Sequence, residues 1–420
     1  MLDIQIAGGA GKGRAGKAGG TERGPERGGP PAVAAVTLGI FTVMTAELLP
    51  VGLLTPAAAD LAVSEGTAAL MVTVPGLVAA LAAPLVTVRA AGADRRALLV
   101  GLLLLAAAAN LVSALAGHLA VVLAARVLLG IAIGGFWALA GGLAPRLVPA
   151  GAVGRATAVI FGGVSAASVL GVPAGTLLTE RAGWRWAFAV TGLLALLAAA
   201  ALRTLLPRLP GRGAGTGAEP SPTSPATRSG TLLALPRRNR RVRAGLLLTL
   251  ALVTGHFLAY SFVRPLLADR SGISGSLLGA LLLGYGVAGV AGNFLAGSRA
   301  ARSPGRTLAV IAAALGTVLL AGFLLGGSAI AGAGLLLLWG LAYGGVSVAL
   351  QSWFMAAAPD DVETATGLNV SVFCLAIALG ALLGGFLVDA YSLGTVLLAG
   401  AALTLAAFPV AVLSGRNDPS

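Results

Sequence analysis

Cysteine is almost missing from this 420-residue chain: Cys374 stands alone, so no disulfide can form within it. An isolated cysteine inside an apolar run is expected to serve packing. Two histidines and no cysteine cluster leave no structural metal site to expect. Charge is scarce as well. Asp, Glu, Lys and Arg make up 10% of the residues, against about 25% in soluble proteins. That shortage excludes an ordinary soluble enzyme. No nucleophile–base pair is visible in the apolar runs, so no enzymatic activity is expected.

Apolar residues fill the space instead, at 57% of the chain. Runs long enough to cross a bilayer recur, with charges held at their ends. Spans are read near 33–57, 67–88, 97–116, 119–144, 155–179, 185–206, 244–268, 274–298, 306–327, 329–356, 364–388 and 393–414. The expected fold is an all-α membrane protein of twelve transmembrane helices in two pseudo-symmetric six-helix bundles. Residues 1–31 read as a disordered basic tail and 32–206 as the first bundle. Residues 207–243 read as a basic linker, 244–414 as the second bundle and 415–420 as a short tail. The start is not a secretory signal, because the first apolar run is too long and contains an acid.

Acidic residues are also few, 15 against 28 basic ones, for a net charge of +13. Such a balance raises the question of a nucleic-acid partner, and its placement answers no. With both termini cytoplasmic, the inner segments hold Arg89, Arg95, Arg96, Arg146, Arg155, the arginines from Arg203 to Arg243, Arg299, Arg302, Arg306 and Arg416. Outer segments hold only Arg181, Arg185 and Arg270. This is the positive-inside pattern, and it fixes the orientation of twelve spans; the expected location is the cell membrane, as a multi-pass protein. The linker arginines Arg237, Arg238, Arg240 and Arg241 would lie near anionic headgroups.

The chain also repeats itself. Shifted by 210 residues, Leu129–Gly135 falls on Trp339–Gly345 and Asp94–Val100 on Pro304–Val310. At 209, Gly171–Gly175 falls on Gly380–Gly384. Parallel duplication of a six-span unit implies a transporter architecture. The glycine pairs Gly130/Gly134, Gly340/Gly344, Gly171/Gly175 and Gly380/Gly384 each place two small residues on one helix face. In lipid, that spacing lets two backbones approach closely.

Two nucleotide-binding patterns are refused. Gly11–Lys17 has phosphate-loop spacing but ends in Ala18, where a hydroxyl should hold magnesium, and no strand precedes it. Gly284–Gly289 matches a dinucleotide fingerprint but lies inside a membrane span, where it serves helix packing. No cofactor is expected beyond a proton gradient. The expected partners are a small-molecule substrate, protons and the bilayer, and the expected working unit is a monomer.

Glu47 is the one acid deep within a span. A charge at mid-membrane costs at least about 2.5 kcal/mol on insertion scales, so it should face the bundle interior or a wet cavity. There it could load and unload a proton; the competing reading is a carboxylate held for structure alone. Arg126 lies at a similar depth from the same side and is the natural candidate partner, for coupling or for fixing spans 1 and 4 together. In the second half, His256 lies near the middle of span 7, as a titrating group or a neutral hydrogen-bonding one. Arg264 lies near the outer end of that span. Further cavity candidates are Trp137, Tyr260, Asn293, Tyr343, Gln351 and Asn369, each of which could equally serve packing or interface anchoring. Pro173 removes a helix donor between Gly171 and Gly175, so span 5 is expected to bend.

Glu47–Leu54, followed by Asp60–Ser64, resembles the first span of the major facilitator superfamily. The nearest group is its twelve-span drug/proton antiporters, in the chloramphenicol-resistance and arabinose-efflux-type branch. Arg126 with Gly130 looks like that group's span-4 motif, implicated in proton transfer, and Gly171–Gly175 resembles its span-5 antiporter motif. Tyr260–Pro265 and Tyr285–Asn293 read like the branch's second half. The resemblance covers 32–414 and implies proton-coupled efflux of a small molecule, such as a drug or sugar, by alternating access. A proton-coupled importer and a non-transporting membrane sensor are the alternatives. Between spans 2 and 3 the family usually carries Gly-x-x-x-Asp-Arg-x-Gly-Arg-Arg. Asp94, Arg95 and Arg96 keep arginines there but displace the aspartate and glycine, so the family's gating contacts are not expected in their usual form.

Overall fold

A computed structural model describes residues 28–89, 93–140, 143–209, 229–300 and 302–415. Among them, twelve helices are long and apolar enough to cross a membrane. Spans 1 to 6 are Gly29–Asp60, Glu65–Val86, Arg95–Leu115, Leu119–Ala140, Arg155–Ala182 and Trp184–Leu205. Spans 7 to 12 are Arg240–Tyr260, Gly275–Ala300, Pro304–Leu325, Ala329–Ala357, Thr364–Ala390 and Leu393–Gly415. No strand occurs among the described residues.

The span ends are marked by short polar side chains, which satisfy amides that a helix leaves orphaned. Ser64 accepts from the Thr67 amide at span 2, and Asp94 from the Arg96 amide at span 3. Asn239 accepts from the amides of Arg241 and Val242 at span 7, and Ser328 from that of Ala331 at span 10. Within the spans, threonine hydroxyls such as those of Thr42, Thr176 and Thr249 donate to the carbonyl four residues earlier. That keeps a polar atom satisfied in an apolar helix.

Several boundaries differ from the sequence reading. The first helix starts at Gly29, inside the stretch read as tail, because Pro30 and Pro31 suit a helix's opening turn. The rest of that tail, with the phosphate-loop pattern, lies outside the described residues. The linker carries a helix, Ser229–Arg238, and span 7 begins at Arg240 within it. Span 7 also ends early: it stops at Tyr260, turns through Ser261 and Phe262, and a separate helix Val263–Ser271 carries Arg264. Pro265 explains the break, since it has no amide to offer Ser261. In span 5 the expected disturbance at Pro173 takes the form of a π-helical stretch, Ala167–Gly171.

The repeat is visible as packing. A Cβ on Gly130 would stand 2.7 Å from the Pro75 carbonyl oxygen, and one on Gly134 2.5 Å from that of Ala79. In the second half, Gly340 meets the backbone of Tyr285 and Gly344 that of Gly289. Span 4 therefore packs on span 2 as span 10 packs on span 8. Gly171 and Gly175 seat Thr45 and Leu49 of span 1, as Gly380 and Gly384 seat Phe257 and Leu258 of span 7. The symmetry extends to the bundle interface. Gly76 of span 2 abuts Cys374 and Ala378 of span 11, and Gly286, 210 residues later, abuts Ser168 and Val169 of span 5. At Gly130, Gly134, Gly340, Gly344, Gly380 and Gly384 a side chain would meet the neighbouring backbone and hold the helices apart.

Among the described residues, hydrogen bonds between the bundles lie in the half remote from the chain ends. Ser64 Oγ donates to Asp389 Oδ2 at 2.6 Å, and the Gly66 amide to Asp389 Oδ1 at 3.2 Å. Arg264 Nη1 donates to the Gly52 carbonyl at 2.9 Å. Near the chain ends, four further bonds each lie within one bundle. Asp94 accepts from the Leu209 amide, and Arg96 Nη1 donates to the Leu206 carbonyl. The Arg95 amide donates to the Leu209 carbonyl, and Asn239 Nδ2 to that of Ala357. Asp94, Arg95 and Arg96 thus tie the loop between spans 2 and 3 to the end of span 6.

Candidate functional site

Span 1 supplies the acid. Glu47 lies midway along Gly29–Asp60, is 3% exposed, and its Oε1 is sealed from solvent with no hydrogen-bond partner. Arg126 of span 4 is 1% exposed. The two do not form an ion pair, whereas Arg185 pairs with Asp60, at 2.5 Å. Instead, Arg126 Nη1 donates to the Ala46 carbonyl at 3.1 Å, and its guanidinium lies 4.5 Å from the centre of the Phe188 ring. Its Nε and Nη2, with Thr45 Oγ1 and Glu47 Oε1, have no partner.

Proline explains where the arginine goes. In a regular helix the Ala46 carbonyl would accept from the amide of residue 50, and Pro50 has none. Arg126 takes that vacant acceptor, so it is aimed at the backbone beside Glu47 rather than at the carboxylate. The same logic recurs six residues on. Pro56 leaves the Gly52 carbonyl free, and Arg264 fills it from the other bundle.

Opposite this charged region, span 7 contributes His256, Phe257 and Tyr260, span 8 contributes Tyr285, and span 10 contributes Trp339 and Tyr343. Four of the rings form a column. Tyr343 stacks on His256 with centroids 3.3 Å apart and planes 7° apart. His256 stacks on Tyr260 at 4.8 Å and Tyr260 on Tyr285 at 4.9 Å, both at 22°. Trp339 meets the column edge-on at His256, Tyr260 and Tyr285, and Phe257 meets it edge-on at His256, Tyr260 and Tyr343.

Trp339 Nε1 donates to His256 Nδ1 at 3.0 Å. An accepting Nδ1 carries no proton, so the histidine is the neutral hydrogen-bonding group of the two sequence readings, with its hydrogen on Nε2. That Nε2 and the hydroxyls of Tyr260, Tyr285 and Tyr343 have no protein partner among the described residues, and none is among the sealed atoms. Glu47 lies within electrostatic reach of Tyr343 on span 10 and of Cys374 on span 11.

The structure gathers some sequence candidates and disperses others. Glu47, His256, Tyr260 and Tyr343 come to one region. Tyr285 and Trp339 join them, although sequence reasoning used both only as parts of glycine motifs; their spacing from paired glycines on spans 8 and 10 was the available signal. Asn369 is spent on structure, its Oδ1 accepting from Thr249 Oγ1 at 2.8 Å. Trp137 packs against Phe161 of span 5, apart from the ring column. Gln351 is exposed, and Asn293 is half-buried on span 8. Arg264 is a bundle-to-bundle bridge.

Comparison with known proteins agrees with this architecture. Residues 36–381 match the Major Facilitator Superfamily. The "Transcription regulatory protein OpdE" of Pseudomonas aeruginosa is 35% identical over 385 residues, 92% of this chain and 94% of that protein. The "Purine ribonucleoside efflux pump NepI" of Shigella sonnei is 34% identical over 358 residues, 85% of this chain and 87% of that protein. Among solved structures, a bacterial homolog of the human lysosomal transporter Spinster, inward-facing and unoccupied, aligns with a TM-score of 0.70 at 16% identity. It covers 93% of this chain and 96% of its own. The human organic anion transporter MFSD10 (TETRAN) aligns at 0.62 with 21% identity, covering 93% of this chain and 100% of its own.

Proposed function

The chain belongs to the Major Facilitator Superfamily, and we propose that this multi-pass membrane transporter is a proton-driven exporter of small planar solutes. The observation that carries the reading is Glu47: a carboxylate at mid-span, beside the bundle interface, with one oxygen sealed and unpartnered. A group in that position is costly to keep for structure, because Arg126 bonds the neighbouring backbone and does not form an ion pair with it. In the proposed cycle Glu47 takes a proton from outside and gives it up inside, alternately with the solute. With the termini cytoplasmic, the cross-bundle bonds at Asp389 and Gly52 close the outer side, which fits an inward-facing resting state.

Export and substrate class draw support from the relatives named as purine ribonucleoside efflux pumps, so inosine is the first solute to test. The test uses the full chain in proteoliposomes with an imposed pH gradient. Glu47→Gln is expected to insert normally and to lose gradient-driven transport at least tenfold. Full gradient-driven transport by that variant would overturn the proton role. The relative named as a transcription regulatory protein favours a second reading, a membrane sensor. That reading predicts no solute flux from the reconstituted wild type.

A further inference from the structure

The ring column has a free end, and its place between the bundles gives that end a use. His256 covers one face of Tyr343, and no other described ring lies parallel to Tyr343. Tyr343 is also half-buried where Tyr260 and Tyr285, deeper in the column, are buried. Glu47 of the opposite bundle lies within electrostatic reach of it. The face of Tyr343 turned away from His256, which no described ring covers, is thus an aromatic surface at the half-buried end of the column, with an unpartnered hydroxyl on its own ring.

We propose that this face of Tyr343 is the docking plane for a flat heteroaromatic ring of the transported solute, and that Trp339 and His256 are positioning residues that hold the plane. The inference rests on the exporter reading above. A flat ring extends the stack by one member at the 3.3–4.9 Å spacings the column already has. Its polar edge then lies beside the Tyr343 hydroxyl, which has no protein partner among the described residues. An organic cation fits less well. An aromatic cage for a cation needs ring faces turned inward around one point, whereas these four rings are parallel and meet Trp339 and Phe257 at their edges. The bond from Trp339 to His256 Nδ1 fixes the histidine's orientation and keeps its hydrogen on Nε2, so the plane beneath Tyr343 cannot rotate freely.

The experiment measures transport of inosine, ribose and tetraethylammonium by full-length protein in proteoliposomes. The variants are Tyr343→Ile, chosen because position 133 of the first half holds isoleucine in the equivalent packing, and Tyr343→Phe. Stacking on an aromatic side chain is worth roughly tenfold or more in affinity per base. The expected result is wild-type transport of inosine but not ribose, with KM for inosine at least tenfold higher in Tyr343→Ile and near wild type in Tyr343→Phe. Trp339→Phe should raise KM about threefold with kcat unchanged, through loss of one hydrogen bond. If Tyr343→Ile does not insert, Tyr343→Leu takes its place.

Gradient-driven inosine transport with an unchanged KM in the isoleucine or leucine variant would overturn the docking plane and leave the exporter standing. Preference for tetraethylammonium, lost on removing the ring, would overturn the flat-ring assignment. Absence of any solute flux in the wild type would remove the exporter reading and the docking plane with it.

Discussion

In the second bundle His256, Tyr260, Tyr285, Trp339 and Tyr343 make one cluster of rings. The residues 210 positions earlier, in the first bundle, are Ala46, Pro50, Pro75, Leu129 and Ile133. Conversely, Glu47 and Arg126 of the first bundle correspond to Phe257 and Leu336 of the second. The glycines around these positions match, and so do their contacts: span 4 on span 2 as span 10 on span 8, span 5 on span 1 as span 11 on span 7. Duplication has kept the backbone approaches, because any Cβ at those points collides with a neighbouring helix. The centre has been free to diverge into one half with a buried acid and arginine beside proline-vacated carbonyls and one half built of stacked rings. The bundles share a scaffold and divide the chemistry.

The contrast can be broken from its shared part first. Gly344→Val in the second bundle and Gly134→Val in the first should both remove most folded protein from the membrane, since each meets backbone rather than a flexible side chain. Membrane yield and thermal unfolding in detergent would check this; a variant of either kind that folds normally would mean the halves are not held by equivalent contacts.

A smaller effect separates the halves. Arg126→Met leaves the Ala46 carbonyl unpaired in an apolar helix and should cost about 2 kcal/mol, the scale of a hydrogen bond to a charged donor. Adding Pro50→Ala restores an amide at residue 50 and should recover at least half of that loss. Unfolding of the single and double variants gives the cycle directly. No recovery in the double variant would show that Arg126 stabilises through Phe188 or another contact instead.

The smallest change is expected at Arg264, which is half-buried and makes the analogous bond across the interface. Arg264→Met should cost no more than about 1 kcal/mol of stability. Its effect should fall on conformation: cysteine pairs placed across the remote side should cross-link less readily than in the wild type. Pro56→Ala, by satisfying Gly52 within its own helix, should weaken the same latch with Arg264 intact. An unchanged cross-linking pattern in both variants would leave Asp389, with Ser64 and Gly66, as the closure on that side.

Much of this arrangement was open to reading from the residues. The twelve spans follow from apolar runs bounded by charge, and the helix pairs from glycines four apart. The helix break after Tyr260 was missed because an apolar run looks continuous whether or not Pro265 interrupts its hydrogen bonds. Arg126 was directed to Glu47 by depth alone. Depth is set by the 1.5 Å rise per residue, but the direction of a side chain around the helix, and which acceptor is vacant, depend on neighbours. The ring column was half visible. His256, Tyr260 and Tyr343 were candidates, while Tyr285 and Trp339 were hidden inside glycine motifs whose packing role was explanation enough.

By itself the sequence determined the membrane architecture, the two-fold internal repeat and the glycine faces, because these depend on local hydropathy, charge and spacing along one helix. Which helix an orphaned carbonyl would turn to, and which rings would meet from spans 7, 8 and 10, only the tertiary structure decided. Those pairings join residues of different spans, 80 positions apart for Arg126 with Ala46 and 83 for Trp339 with His256. They exist only once the helices have chosen their neighbours.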